Sequence, residues 1–247
     1  MSDNIYESPQ LLAEYLLFHY GSAEEVLGGI PGPGEAVGFA TRLVRKLLAP
    51  DTTGRALDLG CAVGASSFEL ARSCTEVIGV DFSHTFIIAA QTLAETGHHP
   101  FEKLTEGTIK EPSVAHVPTD VDRARTHFQQ GDAQNLPADL GTFDVVLAAN
   151  LLCRLPDPMQ LIRRLPSLVQ SGGQLLLTTP FTWLADFTAK ENWIGGTPAT
   201  SRSFDALRTL LESHFELEFT ADIPFLLREH SRKFQYSVAC GSHWRRR

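Results

Sequence analysis

The chain has 247 residues, 43% apolar and 20% charged, and 29 acidic against 21 Lys and Arg residues leave a formal charge of -8. That composition excludes a disordered or collagen-like polymer and fits a single α/β domain. The acidic balance repels phosphate backbones and anionic surfaces at long range, so neither nucleic acid nor membrane is an expected partner.

Met1 to Gln10 lacks the basic start and apolar run of a signal peptide. No run approaches the roughly eighteen apolar residues of a membrane span. Cys61, Cys74, Cys153 and Cys240 form no CxxC pair, which speaks against a zinc site or disulfide framework. A cytoplasmic protein without metal is expected. Glu14 to Tyr20 (EYLLFHY), preceded by Leu11 and Leu12 and stopped by Gly21, predicts a short helix. The Gly/Pro hinge from Gly28 to Gly34 precedes a second helical segment that ends before Pro50, so residues 1–50 read as a helical cap.

From residue 51 to 247 the pattern is that of a Rossmann-like core. The runs RALDLG, EVIGVDFS, THFQQGDA, FDVVLAAN and GQLLLTTP predict parallel strands buried on both faces. Helices are predicted between them at Ser66 to Ser73, Thr85 to Glu95 and Pro158 to Val169. The last has Asp157 as N-cap, Pro158 at its first position, Gly172-Gly173 as a stop, and Pro166 to kink or shorten it. His98 to Arg125 is polar and reads as an insertion. A helix from Ser203 to Ser213 and strands at Phe215 to Phe225 and Phe234 to Gly241 follow. The link Leu226 to Lys233 is too short for a parallel crossover, so one strand at that edge must be reversed. Trp244 to Arg247 reads as a solvated tail.

The chemistry concentrates at strand ends. Leu57-Asp58-Leu59-Gly60-Cys61-Ala62-Val63-Gly64 is a strand entering a glycine turn that opens a helix, where the backbone can approach a ligand and free N–H groups point outward. Asp81 ends the second strand, placed to hold both hydroxyls of a ribose. Asp132 ends the third and is available to an adenine amino group; as a single residue it is equally well a helix N-cap. Three acids at successive strand ends place an adenosine across the sheet's carboxyl edge. Tyr15, His19 and Tyr20, at i, i+4 and i+5, share one side of the first helix as a candidate lid over both ligands, with Tyr15 also fitting a core stripe.

The spacing Asp58-x-Gly60-x-Ala62-x-Gly64 resembles motif I of class I S-adenosylmethionine-dependent methyltransferases, with Ala62 at the middle glycine. That family implies an α/β, mostly parallel seven-stranded sheet with one antiparallel edge strand. Beyond the motif, YESPQLLAEYLLFHYG, VIGVDFSHTFI, AANLLCRLPDP, TPFTWL and REHSRKFQYSVA together are similar to the N-methyltransferase family of ovothiol biosynthesis. The resemblance spans nearly the whole chain. It implies methylation of a ring nitrogen of 5-thiohistidine (4-mercaptohistidine), with S-adenosylmethionine as cofactor and S-adenosylhomocysteine as product. It also implies a functional link to an iron-dependent sulfoxide synthase that makes the thiohistidine.

Residue by residue, the resemblance implies a cofactor pocket from Asp58, Gly60, Cys61 and Gly64, from Asp81 with Phe82, and from Asp132 with Ala133. Asn150, Cys153 and Arg154, at and after the fourth strand's end, are placed to face both ligands. Asn150 or Tyr20 is expected to hydrogen-bond the non-reacting ring nitrogen. The amino acid end of the substrate, a zwitterion, calls for a cation from Arg154, Arg228, Arg232 or Lys233 and for Glu229 at its ammonium. Trp183 is a candidate pocket wall. Another small imidazole or thiol acceptor, a non-catalytic cofactor-binding partner of the synthase, and a nicotinamide oxidoreductase are the rival readings.

Overall fold

A computed structural model describes residues 5–247. A 3-10 turn at Ile5–Glu7 leads into α1 (Pro9–Tyr20), which Ser8 starts by accepting the Leu11 N–H. α2 (Ala23–Leu27) opens on a reciprocal capping box between Ser22 and Glu25 and closes at Gly28 in the left-handed region. α3 (Phe39–Leu47) buries Phe39, Leu43, Val44 and Leu47 against the sheet. These three helices occupy the segment that precedes the sheet.

The rest follows in the order β1 (Arg55–Leu59), α4 (Ala65–Leu70), β2 (Glu76–Asp81), α5 (His84–Thr96), β3 (His98–Glu106), β4 (Ile109–His116), β5 (Thr126–Gln130), β6 (Phe143–Ala149), α6 (Pro158–Leu168), β7 (Val169–Thr179), α7 (Ser203–Leu211), β8 (Phe215–His230) and β9 (Lys233–Arg246). Seven strands form one sheet ordered β5-β2-β1-β6-β7-β9-β8. β9 is antiparallel to both its neighbours, and the β2–β5, β1–β2, β1–β6 and β6–β7 pairs are parallel. This is the Rossmann-like methyltransferase fold, with its reversed strand towards one edge.

Side chains alternate between two apolar layers, as period-2 strands buried on both faces require. Val145, Leu147 and Leu176 pack with α3, α4 and α5; Leu57, Val146, Leu175 and Leu177 pack with α6 and α7. Because the parallel strands share a direction, Gly60, Asp81, Gly131 and Asn150 all emerge at one edge.

Several local expectations need correction. Trp244 to Arg247 is no solvated tail: Trp244 is fully buried within β9, opposite Leu175 and Leu217, whereas Arg245 pairs with Glu218 and Arg246 lies over the Phe215 ring. Strand alternation lets one indole enter the core while its arginine neighbours stay wet. Gly172-Gly173 does not stop α6, which runs two residues past Pro166 and passes directly into β7. The glycines lie inside β7 instead, with Gly172 at φ 78 beside a register irregularity. Residues 98–125 contain the antiparallel β3–β4 hairpin, hidden in the sequence because both faces are largely polar and only Ala115 of the two strands is buried.

Of Leu226 to Lys233 only Ser231 and Arg232 are link; Leu226 to His230 belong to β8 and Lys233 starts β9. Cys240 pairs with both Thr179 and Asp222, so the β8–β9 hairpin beyond them, Ile223 to Ala239, projects past the sheet. At about 3.3 Å per residue its eight-residue arm reaches roughly 25 Å. Arg228 anchors it, donating to the carbonyls of Glu25, Val26 and Leu104. No helix among the described residues is long and apolar enough to cross a membrane.

Candidate functional site

The glycine turn follows β1 directly. Gly60 and Cys61 N–H groups both donate to the Val80 carbonyl, tying the turn to β2. Gly60 and Gly64 have φ of 72° and 90°, and a Cβ on Gly64 would stand 2.8 Å from the Phe128 ring. Ala62 also adopts the left-handed region, at φ 47, and its N–H donates to Asp81 Oδ2 at 2.9 Å. An alanine there carries a steric cost that glycine lacks, partly offset by glycine's greater freedom when unfolded. Ala62→Gly is therefore expected to stabilise the protein by up to about 1 kcal/mol in urea unfolding, with cofactor affinity unchanged.

Asp58 is fully buried under the turn. Its Oδ2 accepts from Ser66 at 2.7 Å and Ser67 at 2.6 Å, both in α4, whereas Oδ1 is buried with no hydrogen-bond partner among the described residues. Asp81 accepts one backbone N–H on each oxygen, from Ser83 and Ala62. Burial pushes both carboxyls up to about 6, and their mutual repulsion adds to the shift at Asp58. Phe82 stands beside them with 58% of its surface exposed. Asp132 accepts from the Gln134 N–H and caps a turn, with Ala133 buried next to it. The Cys61 thiol is buried and pushed well up by desolvation and the two acids, so it is no nucleophile.

Across the edge, Asn150 has φ 52 and donates its N–H to the Thr178 carbonyl at 2.8 Å. The Thr178 hydroxyl donates to Asn150 Oδ1 at 3.0 Å, fixing the amide. From α1, the Tyr20 hydroxyl donates to the Val63 carbonyl at 2.7 Å, joining the cap to the glycine turn. Its proton is thereby committed, and its remaining lone pair can only accept. Burial pushes the His19 imidazole down to about 3, keeping it neutral, and its Nδ1 has no partner among the described residues. Tyr15 packs its ring on Phe86 at 4.8 Å and hydrogen-bonds Tyr6.

Arg154 follows β6 in a 3-10 turn. Its Nη1 donates to the carbonyls of Cys153 and Thr182, and its guanidinium carbon lies 4.8 Å from the Phe187 ring centroid. Other candidates have different partners. Trp183 donates to Ser203 Oγ and stacks on Trp193, which staples the segment between β7 and α7. Glu229 pairs with Lys233 and accepts from Gln235 within the β8–β9 hairpin, and Arg232 is exposed in its turn. Residues the sequence reading missed are Tyr6 and Glu7. Tyr6 hydrogen-bonds Arg154, and the Glu7 carboxylate caps the N-terminus of α5. Nothing local marks them, because their partners lie far along the chain.

Residues 57–177 match the family model of a methyltransferase domain. Over 123 residues the chain is 28% identical to the ubiquinone biosynthesis O-methyltransferase of Coxiella burnetii, covering 50% of this chain and 42% of that protein. It is 27% identical over 130 residues to the demethylmenaquinone methyltransferase of Lactococcus lactis, covering 51% and 42%. The chain thus matches less than half the length of these relatives. Among solved structures, the (4+2)-cyclase SpnF superposes with a TM-score of 0.62 at 18% identity, over 98% of this chain and 94% of that one. The N-methyltransferase NodS of Bradyrhizobium japonicum, in complex with S-adenosylhomocysteine, gives 0.56 at 16% identity, over 93% and 98%. At these identities the structures speak to the fold, which is that of class I S-adenosylmethionine-dependent methyltransferases.

Proposed function

We propose that this methyltransferase-fold chain moves a methyl group from S-adenosylmethionine to the π nitrogen of 5-thiohistidine, giving ovothiol A and S-adenosylhomocysteine. The observation that carries the reading is the pairing of two features at one sheet edge. One is a glycine turn over a buried carboxylate; the other is a pair of oxygen acceptors, on Asn150 and Tyr20, whose own geometry is already fixed.

The residues present fit the cofactor. Asp58 Oδ1 is a buried acceptor in want of a donor. Gly60, Cys61 and Gly64 would offer backbone to its amino acid end, Asp81 would take the ribose hydroxyls, and Phe82, Asp132 and Ala133 would border the adenine. Bound there, S-adenosylmethionine supplies an electrophilic methyl carbon on a sulfonium.

What the chain must do is aim one nitrogen and exclude water. A neutral imidazole has one lone pair and one N–H, and the nitrogen that bears the hydrogen does not react. An acceptor at that N–H selects the tautomer. Tyr20, whose proton is spent on Val63, and Asn150 Oδ1, oriented by Thr178, are both acceptors of this kind. An imidazole near pKa ~6.5 is already nucleophilic at neutral pH and needs no base. A reducing cytoplasm, which keeps the substrate thiol reduced, and a supplying sulfoxide synthase belong to the same proposal.

The test is a side-by-side incubation of S-adenosylmethionine with 5-thiohistidine, histidine and simple thiols, read by product mass and by NMR of the methylated ring. Nitrogen-methylated thiohistidine is the expected product. Methylation of sulfur, or turnover of another acceptor alone, would transfer the reading to that acceptor; tight cofactor binding with no product would leave a binding partner.

A further inference from the structure

Tyr6 and Glu7 enter the site as a strap that the sequence pattern does not announce. The Tyr6 carbonyl accepts from Ser83 Oγ at 2.9 Å. The next residue, Glu7, accepts from the His84 N–H at 2.9 Å, the Thr85 N–H at 3.1 Å and the Thr85 hydroxyl at 2.6 Å. A carboxylate on free N–H groups at the start of a thirteen-residue helix is a favourable anchor. It holds Tyr6 beside Asp81, with its ring 6.1 Å from Tyr15, 5.9 Å from Phe86 and 6.4 Å from Phe187.

Within this frame the Tyr6 hydroxyl meets the Arg154 guanidinium. Among the described residues no carboxylate forms an ion pair with Arg154, a half-buried cation. The carbonyls of Cys153 and Thr182 and the Cys153 sulfur all share the two hydrogens of Nη1, which leaves the three N–H donors of Nε and Nη2, one of them for the Tyr6 hydroxyl. Two donors remain, the number a bidentate carboxylate takes. Stacking on Phe187 from one side and the tyrosine contact together fix the plane of the fork.

We propose that Tyr6 is a positioning residue that orients Arg154 to receive the carboxylate of an amino acid substrate. The inference rests on the thiohistidine reading and adds to it the pair that recognises the substrate's amino acid end. Tyr6 acts through Arg154 and does not take part in the transfer itself. Glu7 serves the same end at one remove, by anchoring the strap.

Tyr6→Phe keeps the ring contacts and removes the hydroxyl, so it separates orientation from packing. At saturating S-adenosylmethionine, Tyr6→Phe is expected to raise the KM for 5-thiohistidine about tenfold, with kcat and the Kd for S-adenosylhomocysteine within twofold. With the decarboxylated analogue 5-thiohistamine, the wild-type protein and the variant are expected to have equal kcat/KM. Arg154→Lys raises the KM for thiohistidine, and Tyr6→Phe adds nothing further on that background. An unchanged KM in Tyr6→Phe, or the same loss with the decarboxylated analogue, overturns the positioning role while wild-type turnover of thiohistidine leaves the function standing. A wild-type protein that binds S-adenosylhomocysteine yet methylates neither compound overturns the function, and the role of Tyr6 with it.

Discussion

Asp81→Asn is expected to weaken S-adenosylhomocysteine binding about a hundredfold by titration calorimetry. The carboxylate holds the glycine turn and the start of α5 together, one oxygen on the Ala62 N–H and the other on the Ser83 N–H. Either orientation of an asparagine amide turns an NH2 towards one of those donors. The ribose hydroxyls lose a charged acceptor as well, and hydrogen bonds to charged groups contribute about 1.5–3 kcal/mol each. Two such bonds correspond to at least a hundredfold. A change of less than threefold would remove Asp81 from the cofactor site.

The same group brings a pH dependence with a definite sign. Burial raises Asp58 and Asp81 from an ordinary value near 3.8 to about 6, so between those values the folded chain holds protons that the unfolded chain has released. The ligand-free protein should therefore lose stability as pH rises from about 4 to 6 and change little above that. Cofactor binding runs the other way, because hydroxyl donors favour the ionised carboxylate. Affinity is expected to fall as pH drops below about 6, with proton release on binding near that pH. Because the acids are coupled, the slope belongs to the pair, and Asp81→Asn should remove one share and leave that of Asp58.

The sheet was legible because burial on both faces turns each parallel strand into an apolar run, and Gly60, Asp81 and Asn150 stand where those runs stop. What escaped notice follows from long-range pairing. β3 and β4 are mostly polar, and only their partnership makes them strands. Trp244 among arginines has the local look of a tail, and only its pairing with β7 and β8 buries it. Tyr6 and Glu7 gain their roles from Ser83, Thr85 and Arg154, 77 to 148 positions away along the chain. Arg228 is by its sequence a candidate for the substrate carboxylate, but near the β8–β9 turn its guanidinium binds three backbone carbonyls of distant segments.

Asn150→Ala should lower kcat about a hundredfold while leaving the Kd for S-adenosylhomocysteine within threefold. The size follows from the role: losing an acceptor at the non-reacting nitrogen frees the ring to adopt the other tautomer and to tilt, and misalignment near 1 Å costs on the order of a hundredfold in rate. One confounding effect comes from the backbone. Asn150 sits at φ 52, a region asparagine tolerates better than alanine, so the alanine variant also carries local strain. Asn150→Gly removes the amide without that strain. Equal losses of kcat in the two variants assign the effect to the amide, whereas recovery in the glycine variant assigns it to the backbone. Tyr20→Phe gives the complementary measurement, because it removes the hydroxyl that joins α1 to Val63. If Tyr20 is the acceptor, kcat falls in Tyr20→Phe and holds in Asn150→Gly; if both oxygens share the ring N–H, the double variant loses little beyond either single one. Unchanged kcat in all three would place the selection of the ring nitrogen elsewhere in the pocket, with the neutral His19 as the next group to replace.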